Sequence, residues 1–250
     1  MILQSLSIMI SSSNEKSKDI ITLLMNLDFD INKKVSPRNQ SLLTISALSG
    51  AISTMEQIIV HNRFAPDKQE VKLALFNIIS STNAVLINSL LNFLDNDINQ
   101  INQNGESLLI VAVSLSSFNN VSLIINHVSF NPIRSMAKKA FFLSLIKSPN
   151  IAALFVGSNF IDINEPYQEN FSLIHGNILK LKDTRNEFDY PNSGSTSIIG
   201  WTPLMIAATL NDIADLIMNA PNIDINKKGS DGSAPIFVAI QYKSCLVDSL

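Results

Sequence analysis

Three histidines, a lone cysteine and a few paired aspartates are the side chains best suited to catalysis or metal binding. His61 and His127 each follow an Ile-Ile pair and lie 66 residues apart. Both fall where a helix should end, a place that favours a partly charged imidazole. Asn62 is suited to the left-handed turn that follows. Asp28 with Asp30, and Asp95 with Asp97, fall at helix exits, where Asp bonds its own backbone. They lack the twelve-residue oxygen spacing of a calcium loop. No Gly-x-Gly-x-x-Gly phosphate loop and no Gly-x-Ser-x-Gly elbow occurs. Cys245 alone excludes an internal disulfide and a cysteine-based zinc site. The expectation is therefore no catalytic, cofactor-binding or metal-binding residue, and a protein that is not an enzyme.

The elements that would position such residues follow a repeat. A Ser, Thr or Ala followed by two apolar residues returns at Ser7, Ser41, Ala74, Ser107, Ala140, Ser172, Thr202 and Ala234. The steps are 34, 33, 33, 33, 32, 30 and 32 residues. A fixed period of this size predicts copies of one supersecondary unit, each too small to bury its own apolar face. The copy at Thr202 is the clearest. Gly200-Trp201 makes a turn, Thr202 caps a helix, Pro203 fills its first position, and Ala207 and Ala208 allow close packing. Second helices are expected near 18–27, 54–60, 84–93, 120–126, 151–155 and 212–219, each with one apolar face. An Asp-Ile-Asn phrase closes alternate copies at Asp30–Asn32, Asp97–Asn99, Asp162–Asn164 and Asp224–Asn226.

Bulk properties narrow the class. With 46% hydrophobic and 16% charged residues, the chain can build a continuous core and is no disordered tail. A net charge of -3 provides no electrostatic footprint for nucleic acid. No apolar run reaches the length of a membrane span. Met1–Ile10 lacks a basic start and a small-residue cleavage site, and it already serves as the first copy. The reading is a cytoplasmic protein rather than a secreted one, with the nucleus also open.

Gly200-Trp201-Thr202-Pro203-Leu204 with Ala207 resembles the opening of an ankyrin repeat. So does Asp231-Gly232 with Pro235-Ile236 and Ala239, while Asn104-Gly105 with Ser107-Leu108-Leu109 and Ala112 is similar. Ser172-Leu173-Ile174-His175 keeps the family's His and lacks its Pro. The resemblance spans residues 1–250 and is uneven at Ala74 and Ala140. It implies an all-α, ankyrin-type solenoid of stacked helix-loop-helix repeats with protruding hairpin loops. Seven to eight repeats are expected, the first and last incomplete, with 181–198 a degenerate helix or an enlarged loop. It also implies that His175 bonds backbone in a neighbouring loop.

By the same resemblance, the function is a protein–protein interaction scaffold that binds a protein partner on its concave loop and first-helix face. Neither a nucleic acid nor a small-molecule substrate is expected. Tyr167, Trp201 and Tyr190 are the expected aromatic anchors. Trp201 equally suits a role in packing adjacent loops, and Phe188 suits that role better. Asn32, Lys33, Arg38, Gln103, Asn104, Glu165, Gln168, Lys227 and Asp231 are the polar rim candidates. Two alternatives stand beside the scaffold: a targeting array of a larger or truncated multidomain protein, and a secreted effector. An apolar edge at Ile236, Phe237, Val238 and Ile240 is expected to fray, to self-associate or to await further repeats.

Overall fold

A computed structural model describes residues 2–11, 17–35, 37–168, 199–242, 244 and 247. The described residues are helical, with two isolated β-bridges, and they divide into two units. Unit 1 comprises Met1–Ala112 with Asn119–Asn131, and unit 2 comprises Val113–Phe118 with Pro132–Leu250.

In unit 1 three helix pairs follow one another. They are α1 (Ile2–Ser11) with α2 (Ser17–Met25), α3 (Leu42–Leu48) with α4 (Ile52–Ile59), and α5 (Lys68–Ile78) with α6 (Ala84–Leu94). First helices pack in chain order, α1 on α3 and α3 on α5, and second helices do the same, α2 on α4 and α4 on α6. The core lies between the two rows, where Leu6, Leu42, Met55, Leu75, Leu90 and Leu94 are buried. Local chemistry starts and stops these helices. The Ser41 hydroxyl accepts from the Thr44 amide, the Asp67 carboxylate from Gln69, and the Asn83 amide oxygen from Leu86. Gly50, at a φ of +68°, turns the chain from α3 into α4.

The helices α7 (Leu108–Ser114) and α8 (Phe118–Ile125) come next in the chain. Ser107 accepts from the Ile110 amide at 3.3 Å and so opens α7. Asn120 on α8 is buried, and its amide group donates to the Ile79 and Ser81 carbonyls at 2.6 and 2.9 Å. Those two bonds tie α8 to the turn after α5 within unit 1.

Unit 2 holds α9 (Arg134–Lys147), α10 (Pro149–Phe155), α11 (Pro203–Ala207), α12 (Asn211–Met218) and α13 (Pro235–Gln241). Here α9 packs on α11, α11 on α13, and α10 on α12. The second helices begin within three residues of the sequence expectation. First helices differ more. Ser41, Ser107, Thr202 and Ala234 stand just before a helix, whereas Ser7, Ala74 and Ala140 lie inside α1, α5 and α9. Ser7 is thus no cap, since its hydroxyl donates back to the Gln4 carbonyl within its own helix. The copies at Ala74 and Ala140 start earlier instead, at Lys68 and Arg134, and run for 11 and 14 residues. Short capped first helices therefore alternate with long ones through this stretch.

The copy counted at Ser172, with the 181–198 segment, lies outside the described residues. Its flanks are informative. The Tyr167 amide donates to the Trp201 carbonyl at 2.7 Å, and the Gly200 amide donates to the Tyr167 carbonyl. The chain thus leaves and returns at one backbone pairing. The helices on either side of this interval are in direct contact, α9 with α11 and α10 with α12. Joining Gln168 to Ile199 through a short Gly-Ser linker should therefore keep a cooperative thermal transition near that of the intact chain. Loss of that transition in circular dichroism would show that residues 169–198 contribute to the core.

Candidate protein-interaction surface

The Asp-Ile-Asn phrase builds the loops on which any surface depends. Asp30, Asp162 and Asp224 each accept a hydrogen bond from the amide two residues on, at 2.9–3.0 Å. Ile31, Ile98 and Ile163 are buried beneath the loops. The asparagine then spans to another loop. Asn32 donates to the Arg63 carbonyl and accepts from the Ala65 amide, at 2.7 and 2.9 Å. Asn99 makes the same pair of bonds to Ser129 and Asn131, and Asn164 to Asn222 and Asp224. A side-chain amide satisfying one donor and one acceptor of a neighbouring loop holds two loops in fixed register. Asn32 is accordingly a loop clamp rather than a rim residue. The recurrence of Asn at 67- and 65-residue spacing was the sequence signal for it.

The histidines belong to the same loops. His61 and His127 each accept, through Nδ1, from the amide two residues later, at 3.2 Å. They shape the turn that supplies the carbonyl clamped by Asn32 or Asn99. Asn62 is not among the residues with positive φ, whereas Asn39 and Asn222 are. His175 and Cys245 lie outside the described residues. Among the described residues, no group of three His, Cys, Asp or Glu side chains could hold a metal ion. No helix there is long and apolar enough to cross a membrane.

Two carboxylates tie elements together. Burial raises the Glu70 carboxyl, but hydrogen bonds from the Thr44 and Ser41 hydroxyls and the Lys34 ammonium outweigh it and hold the group below its ordinary value. Ser41 and Lys34 donate at 2.8 and 3.0 Å. Burial likewise raises Glu165, and Lys138 and Arg134, at 3.0 and 2.9 Å, reverse the direction. Both carboxylates are charged and partnered, an arrangement that joins a loop to a first helix. Glu165 is therefore a tie rather than a free rim residue.

Ahead of the capped first helices the chain projects hairpins. Val35 and Gln40 pair through both amides, at 2.8 and 3.3 Å, with Pro37, Arg38 and the left-handed Asn39 exposed at the tip. Asn102 and Glu106 frame a second hairpin, in which Gly105 has a φ of +74° and Gln103 and Asn104 are exposed. In unit 2 Gly229 donates to Ser233 around an exposed Ser230-Asp231-Gly232 tip. Lys33, Gln168 and Lys227 are also exposed. Arg38, Gln103, Asn104 and Asp231 thus sit at hairpin tips, where a partner could reach them.

The aromatic expectation fails at two positions. Tyr167 is 1% exposed and Trp201 is 6% exposed, so neither is a surface anchor. The Tyr167 ring lies 4.8 Å from that of Phe142, and Trp201 meets Tyr242 edge-on at 6.1 Å. Backbone pairing between Tyr167 and Gly200–Trp201 pulls both rings inward, the packing role already open for Trp201. Tyr190 and Phe188 lie outside the described residues.

One groove in unit 1 joins a hairpin to first helices. It is lined by Val35, Pro37, Arg38 and Gln40 of the hairpin, by Ser7 and Ser11 of α1, and by Ile45, Leu48 and Ser49 at α3. It is open to solvent and encloses about 470 Å³. No protein-family model matches the chain, and no curated protein is significantly similar to it.

Proposed function

We propose that this chain is a non-enzymatic protein-binding scaffold of the ankyrin type, a solenoid whose hairpin tips and first helices contact a partner inside the cytoplasm. The observation that carries the proposal is the set of exposed hairpins, each ahead of a short first helix and braced behind by clamped loops. Recognition residues on loops over a rigid helical frame are the usual way a binding surface is built. Consecutive packing of first helices and of second helices within unit 1 supports the solenoid reading. Dense partnering of the carboxylates Glu70 and Glu165 favours a structural frame over a reaction centre.

The test is affinity capture from the native cell with quantitative mass spectrometry, run beside a variant carrying Arg38→Ala, Gln103→Ala, Asn104→Ala and Asp231→Ala. All four positions are exposed, so the variant should melt close to the parent. A protein recovered with the parent should fall by about tenfold with the variant. Recovery of the same partners by both chains would exclude the hairpin tips as the binding surface.

A further inference from the structure

Asn104 is the one asparagine of the chain that is followed by glycine, and the hairpin before α7 presents the pair in a reactive setting. Asn104 is exposed at the tip, and Gly105 has a φ of +74°. Asn102 holds the turn from below. Its side-chain oxygen accepts from the Asn104 and Glu106 amides, both at 2.9 Å, and its carbonyl accepts from the Gly105 amide at 3.0 Å. The Asn104 side chain itself makes no hydrogen bond to any described residue, so its carboxamide turns freely about its own Cα–Cβ bond. A Cβ built on Gly105 would meet nothing within 4 Å, so the space beside it is open. The hairpin of unit 2 ends in Asp231-Gly232 with a φ of +81° at the glycine, but there the side chain is engaged. Asp231 accepts from the Ser233 amide and hydroxyl, at 2.9 and 3.0 Å. The exposed Asn39, Asn62 and Asn222 each precede a residue with a bulky side chain, Gln40, Arg63 and Ile223.

We propose that Asn104 is a self-modification site, where the chain converts this carboxamide to a carboxylate with water as the co-reactant. The Gly105 backbone nitrogen gives its proton to hydroxide and forms a bond to Asn104 Cγ. The Cγ–Nδ2 bond breaks, and Nδ2 takes a proton from water and leaves as ammonia. Water then opens the resulting five-membered succinimide. Addition at Cγ gives aspartate, and addition at the main-chain carbonyl gives isoaspartate, in which the chain runs on through the side chain. No electrons are transferred. The Gly105 bond to the Asn102 carbonyl must open first, and opening of one exposed turn sets the pace without preventing the reaction. The product adds a negative charge at a hairpin tip, and the isoaspartate form lengthens the tip by a methylene. This chemistry is independent of the scaffold reading.

The experiment incubates the full chain in heavy-oxygen water at neutral and at mildly alkaline pH, then maps its peptides by mass spectrometry. Asn104 should convert before every other asparagine of the described residues, and each product should carry one heavy oxygen. Isoaspartate should accompany aspartate, and conversion should be faster at alkaline pH, where the Gly105 amide loses its proton more readily. Gly105→Asn shields the nitrogen with a side chain that tolerates positive φ, in a space with room for it, and should lose most of the conversion. A thermal melt matching the parent would show that this variant is folded. Asn104→Gln, which leaves Gly105 in place, should also lose the reaction, because its ring would need an extra atom. An intact Asn104 beside other converted asparagines, no conversion anywhere, or Gly105→Asn reacting at the parent rate would overturn the proposal. Conversion seen only after the chain is unfolded in denaturant would overturn it as well, since the folded hairpin would then protect the site.

Discussion

Trp201→Ala should lower the stability of unit 2 by about 3–5 kcal/mol, the range for deleting a buried aromatic side chain. Trp201 is buried against Tyr242, and its carbonyl receives the Tyr167 amide at the point where the chain returns from residue 168. Deleting the indole removes its edge-on contact with the Tyr242 ring and leaves a cavity beside that pairing. Gly200, the preceding residue, is held close to Ser230. Its φ is +90°, and a Cβ there would come within 2.6 Å of the Ser230 Cβ. Thermal unfolding by circular dichroism should show a transition lowered by several degrees. A variant that melts like the parent would return Trp201 to the surface-anchor role expected from its sequence position.

Ala207→Glu should have an effect at least as large, about 4 kcal/mol or more, because it places a carboxylate in a fully buried position. Ala207 is fully buried near the end of α11, the short helix that packs against α9, α12 and α13. Ser46, Ala112 and Ala239 are buried at the matching position, five residues after Ser41, Ser107 and Ala234. A small side chain at this point lets neighbouring helices approach, so added volume costs strain as well as desolvation. Hydrogen exchange should show the amides of α11 and its neighbours losing protection. Unchanged protection across Pro203–Met218 would mean that α11 is looser than its burial implies.

The second helices were legible because each is an amphipathic run ended by a turn residue, and both signals are local. Thr202 was legible as a cap, and Ser41 and Ser107 cap at the same place in the phrase, because an Ncap bond reaches only three residues. The helices around Ala74 and Ala140 were misread at their starts. Asp67 caps α5 seven residues before Ala74, and the phrase used to count copies falls inside the helix. An apolar phrase reports which residues face the core, whereas a cap decides where the helix begins. Of the candidate surface, Arg38, Gln103, Asn104 and Asp231 were readable as exposed because Gly, Asn and Asp mark turns.

By itself the sequence determined a helical chain with an apolar phrase returning about every 33 residues, its Asp-Ile-Asn loops and the Thr202 cap. That information is periodic or local, so it survives without a partner segment. Only the tertiary structure decided which residues close over which. The Asn32 and Asn99 clamps reach loops about 30 residues away, and the Asn164 clamp reaches Asn222, 58 residues on. A direct pairing of Tyr167 with Gly200 and Trp201 accompanies the burial of two aromatic rings whose place near loops had suggested interface anchors, with packing equally open for Trp201. Burial belongs to the neighbours that the fold brings up, and those neighbours are set by backbone pairing across distant segments rather than by the residue's own type.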